Sequence, residues 1–133
     1  MQILNASTEN EIEAAFDTLV RDRIDALFVT PDTYFISQRD QLAALTARYR
    51  IPAAYSTRED VEAGGLMSYG ADNHEMWRQV GVYTGQILKG AKPPELPVIQ
   101  SSKFEFVINL QTARALGLEV PNSLQLLADE VIE

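Results

Sequence analysis

The sequence contains no cysteine and a single histidine, His74. The first absence excludes a disulfide framework, a thiolate metal site and a cysteine nucleophile, and leaves the redox compartment open. The second removes most general-base chemistry, because a histidine base needs an oriented partner and His74 reads as a capping or surface residue beside Glu75. Basic residues are scarce: 11 Lys and Arg stand against 19 Asp and Glu, for a net charge of −8. No basic stripe is available to displace counterions from phosphates, so nucleic acid is not an expected partner. No apolar run approaches the roughly 20 residues of a membrane span. Residues 1–16 have neither the basic start nor the long apolar block of a signal peptide. The H-E-x-x-H, G-x-S-x-G, P-loop, G-x-G-x-x-G and calcium-loop patterns are all missing. Acidic pairs such as Glu59-Asp60 and Asp129-Glu130 read as solvated faces rather than paired catalytic carboxylates. The expectation is a protein without catalysis, metal or cofactor.

What is present is an ordinary globular composition over 133 residues, with 46% hydrophobic and 23% charged residues. That length fits one domain with a real core. Residues 2–5 (QILN) are a short apolar start of strand character. Thr8 and Glu11 form a T-x-x-E capping box. Ile12, Ala15, Phe16, Leu19 and Val20 follow at helical spacing, which predicts a helix over residues 9–21. Residues 24–30 (IDALFVT) are a near-continuous apolar run, the mark of a strand covered on both faces. A second helix is expected over residues 34–50, with Ile36, Leu42, Leu45 and Tyr49 inward. Residues 51–56 read as another buried strand, with Pro52 near its start. Thr57 and Asp60 begin a short helix that stops at Gly64-Gly65. The alternation of strands and helices predicts an α/β fold, a three-layer parallel sheet flanked by helices with right-handed crossovers.

Residues 66–70 (LMSYG) predict a fourth strand. Asp72 or Asn73 can cap the next helix, which carries Met76, Val80, Tyr83, Ile87 and Leu88 and ends at Gly90. Lys92, Pro93, Pro94 and Pro97 make a stiff linker. Residues 103–109 (KFEFVIN) alternate as a strand, and residues 110–116 read as a short helix with Gly117 as its C-cap. Pro121-Asn122-Ser123 reads as a turn, and residues 124–133 as a tail. No internal repeat is present.

In a parallel α/β sheet, ligands bind beyond the carboxyl ends of the strands. Three such ends carry polar or aromatic groups: Thr30-Pro31-Asp32-Thr33-Tyr34, Tyr55-Ser56-Thr57 and Ser68-Tyr69-Gly70. The candidate ligand-binding residues are therefore Pro31, Asp32, Thr33, Tyr34, Tyr55, Ser56, Ser68, Tyr69 and Gly70. Asp32 suits an amino group, and Tyr34, Tyr55 and Tyr69 suit an apolar or aromatic part of a small solute. The competing reading makes Asp32 an N-cap and the tyrosines half-buried packing.

Several of these segments occur in one order and spacing: residues 62–70 (EAGGLMSYG), 78–81 (RQVG), 87–93 (ILKGAKP) and 103–110 (KFEFVINL). Thr112-Ala113, residues 115–118 (ALGL), Pro121, Leu124 and residues 128–133 (ADEVIE) complete the set. Together they resemble the ABC-transporter substrate-binding proteins of the tryptophan/tyrosine type, over essentially the whole chain. The resemblance implies a periplasmic-binding-protein type I fold, in which two lobes trap a solute, and it places this chain on the C-terminal part. Residues 1–70 would be second-lobe βα units ending in a hinge strand. Residues 71–98 would be a helix that packs on the first lobe, plus a Pro-rich linker. Residues 99–133 would be a hinge-crossing strand, a short helix and a tail. It implies a small-molecule solute, polar or aromatic and amino-acid-like, an ABC permease as partner, and a periplasmic or extracytoplasmic location. The absence of a signal peptide leaves a cytoplasmic location open for the chain by itself. With its first-lobe face bare, the helix over residues 76–88 is expected to drive homo-oligomer formation. A sensing or dimerising domain of a signalling protein, an inactive truncated product, and an enzyme on a flavodoxin-like sheet are the other functional classes considered.

Overall fold

In the computed structural model, which describes residues 1–99 and 103–133, the first helix, α1 (Glu9–Arg21), starts where the capping signal lies. The Thr8 hydroxyl accepts from the Glu11 amide at 3.3 Å. The return bond of the box goes one residue further back than expected. The Glu11 carboxylate accepts from the Ser7 amide (2.7 Å) and the Ser7 hydroxyl (2.8 Å). Those bonds, the backbone one foremost, hold the Glu11 carboxyl below its usual range. Ile12, Phe16 and Leu19 are buried as the spacing predicts, but Val20 is exposed. Residues 2–5 form no strand.

Strand β1 (Leu27–Phe28) is much shorter than the apolar run that encodes it, and Phe28 is 60% exposed. The expected cover on both faces is therefore missing here. The second helix is two helices, α2 (Thr33–Ser37) and α3 (Arg39–Tyr49), broken at Gln38 with φ −102° and ψ 18°. Arg50 closes α3 in the left-handed region at φ 54°. Leu42 and Leu45 are buried, while Ile36 and Tyr49 are only half-buried. Strand β2 (Ala53–Tyr55) and helix α4 (Arg58–Glu62) follow. Thr57 does not cap α4 with its side chain; its hydroxyl donates to the buried Asp60 carboxylate at 2.7 Å.

Next come β3 (Met67–Ala71), α5 (Asn73–Leu88), β4 (Phe104–Asn109), α6 (Leu110–Leu116), α7 (Asn122–Gln125) and β5 (Glu130–Ile132). Of the two proposed caps of α5, Asp72 is the one used: its carboxylate accepts from the His74 and Glu75 amides. Gly117, at φ 75°, takes the left-handed C-cap position of α6, where a Cβ would be strained. The tail contains β5, which the sequence reading left unassigned.

The sheet runs β1-β2-β3-β4-β5. Strands β1, β2 and β3 are parallel, β4 is antiparallel to β3, and β5 is parallel to β4. The sheet is thus mostly parallel, with one reversal that strand composition does not announce. Ile12, Phe16, Leu19, Leu42, Leu45, Ile51, Ala53 and Tyr55 form the core between the helices and β2. Each large side chain removed from water there contributes about 1.5–3 kcal/mol. Helix α5 is different: it has no buried residue. Among the described residues, no helix is long and apolar enough to cross a membrane.

Candidate functional site

Because β1, β2 and β3 are parallel, their carboxyl ends share one edge of the sheet. The antiparallel pairing of β4 brings its first residues to that same edge, with Phe104 opposite Ala71 and Phe106 opposite Tyr69. The edge therefore collects residues 30–34, 56–57, 69–72 and 103–106.

At the end of β1, Pro31, Asp32 and Thr33 are exposed. Asp32 acts as the N-cap of α2, its Oδ1 accepting from the Tyr34 amide at 2.8 Å. One carboxylate oxygen carries that bond, and the residue stays open to solvent. Tyr34 is half-buried, and its hydroxyl is buried with no hydrogen-bond partner among the described residues. Burial pushes its phenol up, and the charges of Glu9 and Glu11 add to the shift.

At the end of β2, Tyr55 is 1% exposed and belongs to the core. Its hydroxyl lies 3.5 Å from the Thr46 hydroxyl. Burial raises its phenol pKa. Tyr55 cannot touch a solute at the surface, and the expectation that it lines the site is corrected here: strand alternation turns it inward. Ser56 is half-buried beside it. On β3, Ser68 sits opposite Tyr55 in register and is 2% exposed, so it too faces the core rather than solvent. Tyr69, one residue on, points the other way and is 63% exposed. Gly70 lies against the Ser56 backbone. The surface groups brought together are thus Ser56, Tyr69 and Gly70, with Pro31, Asp32 and Thr33 farther along the same edge.

Residues missed by the sequence reading complete the edge. Tyr69 stacks on Phe104, centroids 5.6 Å apart with planes at 13°, and meets Phe106 edge-on at 6.4 Å. These three rings, Leu127 and Asp129 border an open hollow of about 530 Å³. Lys103 donates to Asp72 at 2.7 Å. That bond, ahead of the amide of Glu75, holds the Asp72 carboxyl below its usual range and raises Lys103. Arg58 donates to Glu62 (2.7 Å), Glu105 (3.0 Å) and Glu130 (2.7 Å), binding α4 to β4 and β5. Its pKa is raised by Glu62 first, then Glu130. Apart from Arg58–Glu62, one turn apart on α4, these pairings depend on the sheet that joins β3, β4 and β5. The rings, hydroxyl and carboxylate suit non-covalent capture of a small amphipathic molecule. Among the described residues, no group of three or more His, Asp or Glu is placed to hold a metal ion.

Comparison with known proteins agrees with this architecture. Residues 1–132 match the family model described as ABC transporter substrate binding protein. The chain is 27% identical over 113 residues to a tyrosine-binding protein of Clostridioides difficile (strain R20291), covering 85% of this chain and 32% of that one. A Streptococcus pneumoniae ABC domain solved in complex with L-Trp is 32% identical, with a TM-score of 0.83. The match covers 92% of this chain and 41% of that structure. A conserved domain protein of Vibrio cholerae, 22% identical, shares the fold with a TM-score of 0.84, over 95% of this chain and 42% of its own. The chain thus spans about a third of the curated relative and about two-fifths of the solved ones.

Proposed function

Because the chain belongs to the ABC transporter substrate-binding protein family, we propose that it is one lobe of a solute receptor for an importer, and that its strand-end edge holds an amino-acid-like ligand without covalent chemistry. The observation that carries this reading is the edge itself. The parallel ends of β1 to β3 meet an exposed aromatic pair, Tyr69 and Phe104, within one sheet that also offers Asp32 and Ser56. In this reading the rings cover the apolar part of the ligand and Asp32 takes its amino group. Tyrosine and tryptophan are the first ligands to try, as the names of the two relatives suggest.

The same reading divides the chain at the elements already described. Residues 1–70 form the lobe and its first hinge strand, residues 71–98 reach toward a second lobe, and residues 99–133 cross back. The permease and an extracytoplasmic location follow from the importer role. Helix α5 leaves Met76, Trp77, Val80, Ile87 and Leu88 exposed, which supports self-association through that face when no second lobe covers it.

The test is calorimetric titration of the protein carrying both lobes with tyrosine, tryptophan and the other amino acids. Binding is expected, and it weakens in Asp32→Ala and in Tyr69→Ala. No binding of any amino acid overturns the ligand class, and unchanged affinity in Asp32→Ala removes Asp32 from the site. Asp32→Asn separates charge from capping, since the amide oxygen can still accept from the Tyr34 amide.

A further inference from the structure

The hollow beside β3 and β4 joins aromatic walls to a fixed negative charge. Its border is Tyr69, Phe104, Phe106, Leu127 and Asp129. Tyr69 and Phe104 lie nearly parallel, at 13°, while Phe106 stands at 73° to Tyr69. The ring planes therefore meet as a corner and not as a single stack. The backbone of Phe106 fixes Asp129 beside them. The Asp129 amide donates to the Phe106 carbonyl, and the Asp129 Oδ2 accepts from the Phe106 amide, both at 2.8 Å. Asp129 stays exposed, and its Oδ1 has no hydrogen-bond partner among the described residues. No Lys or Arg borders the hollow. Strand alternation turns Glu105, between the two phenylalanines, to the opposite face, and Arg58 is held there with it. Asp32 is no substitute for Asp129 here. It follows β1, two strands away from β3, which is roughly 10 Å at the spacing of neighbouring strands.

We propose that this corner is a binding site for an organic cation: a methylated ammonium group whose carbons lie on the rings and whose charge faces Asp129. Three features select that class. Aromatic rings attract a cation through their quadrupole, and a quaternary ammonium adds apolar carbons that rest on the same walls. The fixed carboxylate repels an anion and adds nothing to the binding of a neutral hydrocarbon. A bare metal ion is poorly served, because among the described residues no three His, Asp or Glu converge and the other walls are hydrocarbon. The site shares Tyr69 and Phe104 with the amino-acid edge proposed above. It uses neither Asp32 nor a second lobe, so the two readings fail separately.

The experiment titrates the 133-residue chain at constant ionic strength with two probes. One is choline; the other is 3,3-dimethylbutan-1-ol, which puts carbon in place of the ammonium nitrogen at the same shape. NMR signals of Tyr69, Phe104, Phe106 and Asp129 are followed. Choline is expected to shift them saturably, with its own methyl protons moved upfield by the rings. It should bind about fivefold or more tightly than the carbon isostere, the ratio that attraction to the rings and the carboxylate gives. Asp129→Asn removes the charge but keeps an oxygen for the Phe106 amide. It should weaken choline about fivefold and leave the isostere unchanged. Phe106→Leu should weaken choline about threefold. If that variant fails to fold, Tyr69→Leu, at an exposed ring, should show the same loss. The absence of saturable shifts with choline overturns the proposal. So does equal affinity for the isostere, which would mean apolar adhesion alone. Unchanged choline affinity in Asp129→Asn also overturns it, since the carboxylate would then take no part.

Discussion

Gly70 and Ser56 touch backbone to backbone: a Cβ on Gly70 would overlap the Ser56 carbonyl oxygen. The obstruction is main chain on both sides, so no rotamer change relieves it. Gly70→Ala must push the end of β3 away from β2. A loss of about 1–3 kcal/mol is expected from such overpacking, read as a lower urea midpoint at unchanged slope. An alanine variant as stable as the parent would mean that the strand ends are not in contact in solution.

Arg58 joins three carboxylates from three elements, Glu62, Glu105 and Glu130. Its side chain is only 28% exposed, so the network is partly shielded from solvent. Arg58→Met should destabilise the chain by about 1–2 kcal/mol, because it leaves Glu105 and Glu130 facing each other without a cation. The loss should shrink as salt is added to screen that repulsion. Denaturation curves of both proteins at low and high salt measure this.

Asp72 gives a pH dependence of defined sign. Lys103 and the α5 amides hold its carboxyl below the usual range. A depressed folded pKa contributes stability that is complete above the unfolded value, about 3.9, and is lost as pH falls through the lower folded value. The start of α5 should therefore keep its amide protection at mildly acidic pH and lose it only in strong acid. Asp72→Asn should weaken that protection at neutral pH and flatten its response to acid. Exchange rates at His74 and Glu75, whose amides Asp72 accepts from, provide the measure.

Trp77 is the only tryptophan and is 66% exposed on α5. In dilute chain its emission should be that of a water-exposed indole, readily quenched by iodide. If α5 mediates self-association, the emission shifts to the blue as concentration rises, in step with the mass from light scattering. Trp77→Lys should then keep the chain monomeric at all concentrations.

How far the sequence could be read depended on the kind of signal. Helix α1 was legible because its apolar period, its capping threonine and its acidic first turn are all local. The break between α2 and α3 at Gln38 was not, since neither proline nor glycine marks it. The parity of strands was also hidden. Tyr55 and Ser68 are register partners and both face the core, whereas Tyr69 faces out. A tyrosine at a strand end fits either side, so the candidate site contained two residues that belong to the interior. Its missing members, Phe104 and Phe106, reach Tyr69 only through an antiparallel register between segments more than thirty positions apart. Strand β5 was invisible for the same reason. Its pairing with β4 is reinforced by Asp129, which donates to the Phe106 carbonyl and accepts from the Phe106 amide, both at 2.8 Å.

The order of strands across the sheet is also their order along the chain. During synthesis, each strand from β2 onward therefore emerges after the neighbour on which it docks. None of the five has to wedge between two that are already paired. Growth of the sheet and growth of the polypeptide proceed in one direction, so folding can begin on the ribosome with a template always in place.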